Sequence, residues 1–127
     1  MSASLPIALV DDDRIYQFTT ERMLQRLDVN IRFLWFKDGE EAITYLKNKK
    51  DDAEELPDIL IVDINMPFLD GWQFLDAYRS IQQDLAKAMD IYMVSSSNDG
   101  RERTRAEKTP MVRDYVEKHI TREKLEV

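Results

Sequence analysis

The most informative stretch of this sequence is Asp58-Ile-Leu-Ile-Val-Asp-Ile-Asn-Met-Pro-Phe-Leu-Asp-Gly71, in which four apolar residues run directly into Asp63. An unbroken apolar run of this length predicts a strand that is covered on both faces, as in a parallel sheet. A carboxylate at the end of such a strand is costly to bury unless another group pairs with it. Ligands of open α/β sheets bind at the carboxyl ends of the strands. Asp63 is therefore the first candidate functional residue.

The rest of the chain alternates short apolar runs with amphipathic segments. Strands are predicted at residues 5–10, 31–36, 58–62, 90–94 and 111–116. This alternation predicts an α/β fold with a parallel sheet, right-handed crossovers and helices on both faces, a three-layer arrangement. Because no internal repeat or linker interrupts the pattern, we predict a single domain over residues 1–127.

Acidic residues mark the predicted helix starts. The triplet Asp11-Asp12-Asp13 contains the cap of the first helix, and Asp13 is the expected cap. Asp38 with Glu41 and Asp70 with Gln73 have the spacing of capping boxes. The segment 101–108 offers only one apolar residue, Ala106. Since packing of an apolar face supplies most helix stability, this helix is predicted to be weakly anchored.

Composition excludes several classes of protein. The chain has 127 residues, of which 43% are hydrophobic and 34% are charged, with a net charge of −7. No run of apolar residues is long enough to span a membrane, and the start lacks the pattern of a signal peptide. The acidic balance argues against nucleic-acid binding. The absence of cysteine excludes disulfides and thiolate metal sites, and it fits the cytoplasm.

Polar residues follow four of the predicted strands, namely Asp11 and Asp12, Asp63, Ser95 and Lys118. The carboxyl ends of parallel strands meet at one edge of the sheet, so we expect these side chains to converge. Carboxylates gathered there repel one another, and at least one pKa should be raised. Mg²⁺ relieves that conflict, since it prefers oxygen ligands. A carboxylate nucleophile, a cation, a lysine and a hydroxyl together fit phosphoryl transfer through an acyl phosphate.

The motifs that carry this chemistry also resemble a known family, the response-regulator receiver domains, to which the chemotaxis protein CheY belongs. The matching stretches are Leu9-Val-Asp-Asp-Asp13, Asp58-Ile-Leu-Ile-Val-Asp-Ile-Asn-Met-Pro67 with Asp70-Gly71, Val94-Ser95 and Tyr115-Val-Glu-Lys118. They cover nearly the whole chain in order. The resemblance implies a flavodoxin-like, doubly wound sheet of five parallel strands in the order 2-1-3-4-5.

The resemblance implies a role for each matching residue around the metal. Asp63 matches the phosphoacceptor, and Asp11 and Asp12 match the acidic pair that holds Mg²⁺, with Asp12 as the direct ligand. Asn65 matches the position whose backbone carbonyl binds the metal. Mg²⁺, with Asp63 also among its ligands, is thus the implied cofactor.

The remaining matches imply a switch. Ser95 matches the hydroxyl residue that bonds the phosphoryl group, Lys118 the lysine that pairs with it, and Tyr115 the aromatic residue that turns inward when the hydroxyl moves. In this family the phosphate comes from a sensor histidine kinase or a histidine phosphotransfer protein. The chain is then expected to act on its own aspartate, not as an enzyme on a separate substrate, and to change its binding to a downstream protein.

Three features depart from the family pattern, the first being Ser95 in place of the commoner threonine. Family members usually have a proline in a cis peptide after the lysine, where this chain has His119. A cis bond before a non-proline residue costs about 3–4 kcal/mol, so either the bond is trans and Lys118 is re-aimed, or it is cis under strain. The last helix, which Thr121 is predicted to cap, is short. Less apolar surface would be covered beside the fifth strand, which would favour a homodimer.

Two other functions are compatible with some of the residues. A Mg²⁺-dependent phosphatase of the haloacid-dehalogenase type uses Asp-x-Asp at the end of the first strand, which Asp11 and Asp13 fit, whereas Arg14-Ile15 fits the rest of that motif poorly. A receiver that no longer accepts phosphate and serves only as a binding scaffold is the other alternative. Its support is limited to His119 and the short final helix.

Overall fold

The structure is a computed structural model that describes residues 4–66, 69–96 and 100–118. Its centre is a parallel sheet of five strands in the order β2-β1-β3-β4-β5. The strands are β1 (Leu5–Val10), β2 (Ile31–Phe36), β3 (Ile59–Asp63), β4 (Asp90–Ser95) and β5 (Val112–Glu117). The fold class and the strand order predicted from the sequence are confirmed. Successive strands are added to one side of β1 and then to the other, and this reversal of strand order between β1 and β3 leaves a crevice at their carboxyl ends.

Within the described ranges, four α-helices connect the strands: α1 (Arg14–Gln25), α2 (Gly39–Asn48), α3 (Gly71–Ile81) and α4 (Gly100–Glu107). Asp13 caps α1 by accepting hydrogen bonds from the N–H groups of Ile15 and Tyr16. Asp70 and Gln73 form the full capping box of α3. At α2 only half of the predicted box is present. Asp38 accepts from the Glu41 N–H, while the Glu41 side chain accepts instead from the Lys37 N–H.

The sheet separates two hydrophobic clusters. Helices α2, α3 and α4 cover one face, where Leu46, Phe74 and Ala106 are buried. Helix α1 covers part of the other face through Tyr16 and Leu24. Each of the central strands contributes alternate residues to both clusters, which explains why β1 and β3 are apolar without interruption.

The boundaries of three strands differ by one residue from the prediction. Strands β3 and β5 begin at Ile59 and Val112, each one residue later than expected, although the Asp58 N–H and carbonyl still hydrogen-bond to Pro6 and Asp90. Strands β3, β4 and β5 each run one residue further, into the site residues Asp63 and Ser95 and into Glu117. The ladder therefore extends to the functional edge, and its hydrogen bonds fix the backbone there.

Other predictions fall outside the described residues. These are the peptide before His119 and the helix capped by Thr121. Among the helices that the structure does describe, none combines the length and apolar character needed to cross a bilayer.

Candidate functional site

Three carboxylates meet at the carboxyl edge of the sheet. Oxygens of Asp11, Asp12 and Asp63 all lie within 4.8 Å of one another. Asp63 is 2% exposed and Asp11 is fully buried, whereas Asp12 is exposed at the mouth of the crevice. The chain brings them together because β1 and β3 are hydrogen-bonded neighbours, with Val10 opposite Val62. The next residue of each strand is then an aspartate.

The ammonium group of Lys118 reaches this cluster from the end of β5. Its Nζ lies 3.1 Å from Asp11 Oδ2 and 3.6 Å from Asp63 Oδ2. The same ammonium lies 4.8 Å from the centre of the Tyr16 ring, a favourable cation–π distance. The Lys118 N–H donates to the Ser95 carbonyl at 2.9 Å, which ties the end of β5 to the end of β4. Lys118 thus points into the crevice, a direction that His119 in place of the family's proline had left open.

Burial and charge perturb the site's protonation. Burial, and then the nearby charge of Asp11, raise the pKa of Asp63 to about 7, although Lys118 and the Asn65 N–H act in the opposite direction. The pKa of Asp11 is also raised, chiefly by burial. Burial by itself would lower the pKa of Lys118, but the Asp11 and Asp63 carboxylates outweigh it, and the net shift is upward. The expectation of a raised carboxylate pKa is confirmed.

The donor set suits a divalent cation. Three carboxylates face one ammonium, so two negative charges at full ionisation have no partner in the cluster. Among the described residues, buried Asp11 Oδ2 has the Lys118 ammonium as its ion-pair partner at 3.1 Å, whereas Asp11 Oδ1 accepts the Asp13 N–H at 2.8 Å. Oxygen ligands and this charge deficit match the requirements of Mg²⁺. The residues that would hold the ion are Asp11, Asp12 and Asp63.

Ser95 and Asn65 form a polar pair beside Asp63. Ser95 is fully buried, and its Oγ accepts a hydrogen bond from Asn65 Nδ2 at 3.3 Å. The Asn65 N–H donates to Asp63 Oδ1 at 3.2 Å. Together these contacts orient the Asp63 carboxylate and place a hydroxyl at its side. The Asn65 backbone carbonyl remains a predicted metal ligand.

Gly71 explains why the signature stretch ends in Asp-Gly. A Cβ atom at Gly71 would lie 2.7 Å from the Asp63 carbonyl oxygen and 2.8 Å from Ile64 Cα, both backbone atoms. The Gly71 N–H also donates to the Ile64 carbonyl at 2.9 Å. Only a residue without a side chain allows α3 to start this close to the end of β3. Gly71 therefore serves the geometry of Asp63 rather than binding a ligand itself.

Tyr115 lies at the edge of the site region, on β5. Its side chain is buried, and the Arg103 guanidinium stacks on its ring at 4.9 Å. A second arginine of α4, Arg105, stacks on Trp72 at 4.2 Å. Ala106 is the one buried residue that α4 contributes. The prediction of thin apolar anchoring is confirmed, and the two stacked arginines supplement it.

The sequence analysis missed the roles of two aromatic residues. The Trp35 indole N–H donates to the Asp11 carbonyl at 2.7 Å. The Tyr16 ring contacts the Lys118 ammonium. The sequence offered one signal for Trp35: it stands near the end of β2, which runs parallel to β1, and the acidic triplet follows β1. Pairing alone does not show which way an indole points.

The comparison with known protein families agrees with this geometry. Residues 7–127 match the pattern of the response regulator receiver domain. The chain belongs to this family. It is thus a receiver domain of the kind found in two-component response regulators, and receiver domains of this family interact with histidine kinases or phosphotransfer proteins.

Solved structures of other receiver domains share the fold. A two-component response regulator from Cytophaga hutchinsonii is 29% identical, with a TM-score of 0.88 over 98% of this chain and 93% of that one. The chemotaxis protein CheY4 of Vibrio cholerae is 22% identical, with a TM-score of 0.71 over 97% and 93% of the two chains. The second likeness bears on the fold alone.

Two relatives by sequence are longer than this chain. The probable methanogenesis regulatory protein FilR2 of Methanothrix harundinacea is 27% identical over 93 residues, which are 73% of this chain and 60% of that protein. The two-component response regulator ARR14 of Arabidopsis thaliana is 31% identical over 102 residues, 80% of this chain and 24% of that protein. The chain thus spans less than two thirds of the length of either relative.

Proposed function

We propose that this receiver domain is a phosphorylation switch in which Asp63 accepts a phosphoryl group from a phosphohistidine in a Mg²⁺-dependent reaction. The donor is a sensor histidine kinase or a histidine phosphotransfer protein. The product is an acyl phosphate that changes the binding of a downstream protein. The domain acts on its own aspartate and turns over no separate substrate. A donor of this kind implies a cytoplasmic location. A homodimer that covers the apolar surface beside β5 stays a separate prediction.

The position of Asp63 carries this proposal. It is a nearly buried carboxylate at a strand end, and Lys118 Nζ is 3.6 Å from its Oδ2. In the transfer, an Asp63 oxygen forms a bond to phosphorus while the bond from phosphorus to the histidine nitrogen breaks, and the imidazole leaves with the electron pair. The Lys118 ammonium can neutralise one phosphoryl oxygen. A bound Mg²⁺ would supply further positive charge for the transferred group.

A change at Ser95 connects the site to the surface. Its hydroxyl oxygen accepts a hydrogen bond from Asn65 Nδ2 in this structure, and a phosphoryl group on Asp63 would offer the Ser95 O–H a charged acceptor. Movement of Ser95 toward that group would leave space on the side of Tyr115, which lies on the neighbouring strand β5 opposite Met93. The thinly anchored α4, with Ala106 as its buried contact, is the element expected to shift.

Helix α1 offers a docking surface for the donor protein. It begins at Arg14, directly after the acidic triplet, so its first turns border the mouth of the site. Ile15 and Phe18 on this helix are 77% and 56% exposed, so the helix presents apolar surface to a partner. A recessed Asp63 requires a partner that holds its phosphohistidine close. We therefore assign donor binding to the α1 side of the crevice.

Incubation with Mg²⁺ and a small phosphodonor such as acetyl phosphate, followed by intact-mass analysis, tests the proposal. The expected result is the addition of one phosphoryl group, which chelation of Mg²⁺ abolishes. Asp63→Asn should prevent the addition. Asp90→Asn is the matched control, because Asp90 is exposed at the opposite edge of the sheet. An adduct that survives Asp63→Asn, or no adduct on the unaltered chain, would contradict the proposal.

A further inference from the structure

Trp35 connects the edge strand to the acidic loop. It lies on β2 opposite Leu9 of β1, where its half-buried ring packs against the hydrophobic cluster beneath α1. Its indole N–H donates to the Asp11 carbonyl oxygen at 2.7 Å. The Asp11 N–H in turn donates to the Phe36 carbonyl at 3.0 Å. Both backbone groups of Asp11 are therefore held by β2.

The carbonyl that Trp35 holds belongs to the peptide unit joining Asp11 to Asp12. This unit is planar, so fixing its oxygen also fixes the direction in which the Asp12 Cα leaves it. The neighbouring carboxylates have their own restraints: Asp11 accepts the Asp13 N–H, and Asp13 caps α1. The exposed Asp12 carboxylate makes no hydrogen bond or ion pair with any residue in the described ranges. Its backbone is what aims it at the cluster.

We propose that Trp35 is a positioning residue for the divalent cation: its indole N–H holds the Asp11–Asp12 peptide so that the Asp12 carboxylate points into the acidic cluster. This inference rests on the proposed Mg²⁺ site. Without the bond, the peptide unit can rotate, and Asp12 must be ordered when the ion binds. The entropy of that ordering lowers the affinity for Mg²⁺.

The test measures the Mg²⁺ dissociation constant by titration calorimetry in matched proteins. Trp35→Phe removes the N–H and keeps an aromatic ring. Trp72→Phe is the matched control, because Trp72 lies in α3 under Arg105 and makes no hydrogen bond to residues 11–13. We expect Trp35→Phe to raise the dissociation constant about 3- to 10-fold, the range that one hydrogen bond supplies, and Trp72→Phe to leave it unchanged.

A second measurement separates positioning from loss of structure. In the Trp72→Phe protein, replacing the single remaining tryptophan with benzothienylalanine keeps the shape of the ring and removes only the N–H. The Mg²⁺ concentration that gives half-maximal phosphorylation by acetyl phosphate should rise, while the rate at saturating Mg²⁺ stays the same. A purely structural role for Trp35 would instead lower the melting temperature and leave the Mg²⁺ dependence unchanged.

The outcomes also separate this inference from the proposed function. If the Trp72→Phe protein binds Mg²⁺ and the benzothienylalanine protein binds it equally well, the positioning role is wrong and the metal site stands. If neither protein nor the unaltered chain binds Mg²⁺, the proposed metal site is wrong, and the role of Trp35 falls with it.

Discussion

Lys118 Nζ lies 3.6 Å from Asp63 Oδ2, at the centre of a cluster that otherwise consists of carboxylates. The lysine and the aspartate come from the ends of β5 and β3, which are separated in the sheet by β4. Among the described residues, Lys118 contributes the only positive charge next to these three carboxylates. Its removal should therefore affect metal binding and phosphoryl transfer in opposite directions.

Lys118→Met should slow phosphorylation of Asp63 by acetyl phosphate about 10- to 100-fold, because one charge that stabilises the transferring group is lost. Mg²⁺ should bind at least as tightly as before, since a competing cation has left the cluster. Time-resolved intact mass and calorimetry measure the two effects. Lys87→Met is the control, because that ammonium pairs with Asp58 at the opposite edge, 2.7 Å away. Loss of Mg²⁺ binding in Lys118→Met would contradict this account.

The metal-free protein should lose stability as the pH rises from about 4 to about 7. The Asp63 pKa is raised from 3.8 to about 7 in the folded state, so the native protein holds a proton that the unfolded chain releases. The raised pKa of Asp11 acts in the same direction. Urea unfolding across this pH range measures the slope. Saturating Mg²⁺ should flatten it, because the ion favours the charged carboxylates.

Asp63→Asn isolates the contribution of that carboxylate to the pH dependence. At pH 8 the free energy of unfolding of the metal-free protein should increase by about 1–3 kcal/mol, because a buried charge is removed from a repulsive cluster. At pH 4 the two proteins should differ little. Asp90→Asn, at an exposed position, should keep the slope of the unaltered chain. A destabilised Asp63→Asn protein at pH 8 would show that the Lys118 ion pair outweighs the burial of Asp63.

Gly71→Ala should destabilise the fold by about 1–3 kcal/mol, because the new methyl group meets backbone atoms of Asp63 and Ile64 that cannot rotate away. The displacement acts on Asp63 itself, so phosphorylation should also slow. Gly100→Ala is the matched control: it too is the first residue of its helix, and no atom lies within 4 Å of its added Cβ. Equal melting temperatures for the two variants would contradict the proposed close approach.

Arg105→Ala should speed amide hydrogen exchange in α4 by several-fold, because the stack on Trp72 supplements a helix with one buried residue, Ala106. Exchange in α3 should change less, since that helix buries several large side chains. Glu107→Ala is the control on the same helix, at an exposed position. Exchange measured by mass spectrometry on peptides of α4 and α3 separates the two. Unchanged exchange in α4 would assign its anchoring to Ala106 alone.

The architecture was predictable because its causes are local. Apolar runs that lead into aspartates predicted β1 and β3, and the Asp70–Gln73 box set the start of α3 through bonds between residues three apart. Errors of one residue arose at Asp58 and Ser95, where pairing with the neighbouring strands sets the limit of the ladder. Those partners are far away in sequence, and spacing alone does not reveal them.

The sequence by itself determined the sheet, its order through the family motifs, and the set of acidic and polar residues at its carboxyl edge. Parallel strands bring their ends to one edge, so convergence of Asp11, Asp63 and Lys118 follows from connectivity. Only the tertiary structure decided the direction of each side chain. The reach of Lys118 into the cluster and the bond from Trp35 to the Asp11 carbonyl depend on rotamers set by packing across the sheet, which no pattern along the chain encodes.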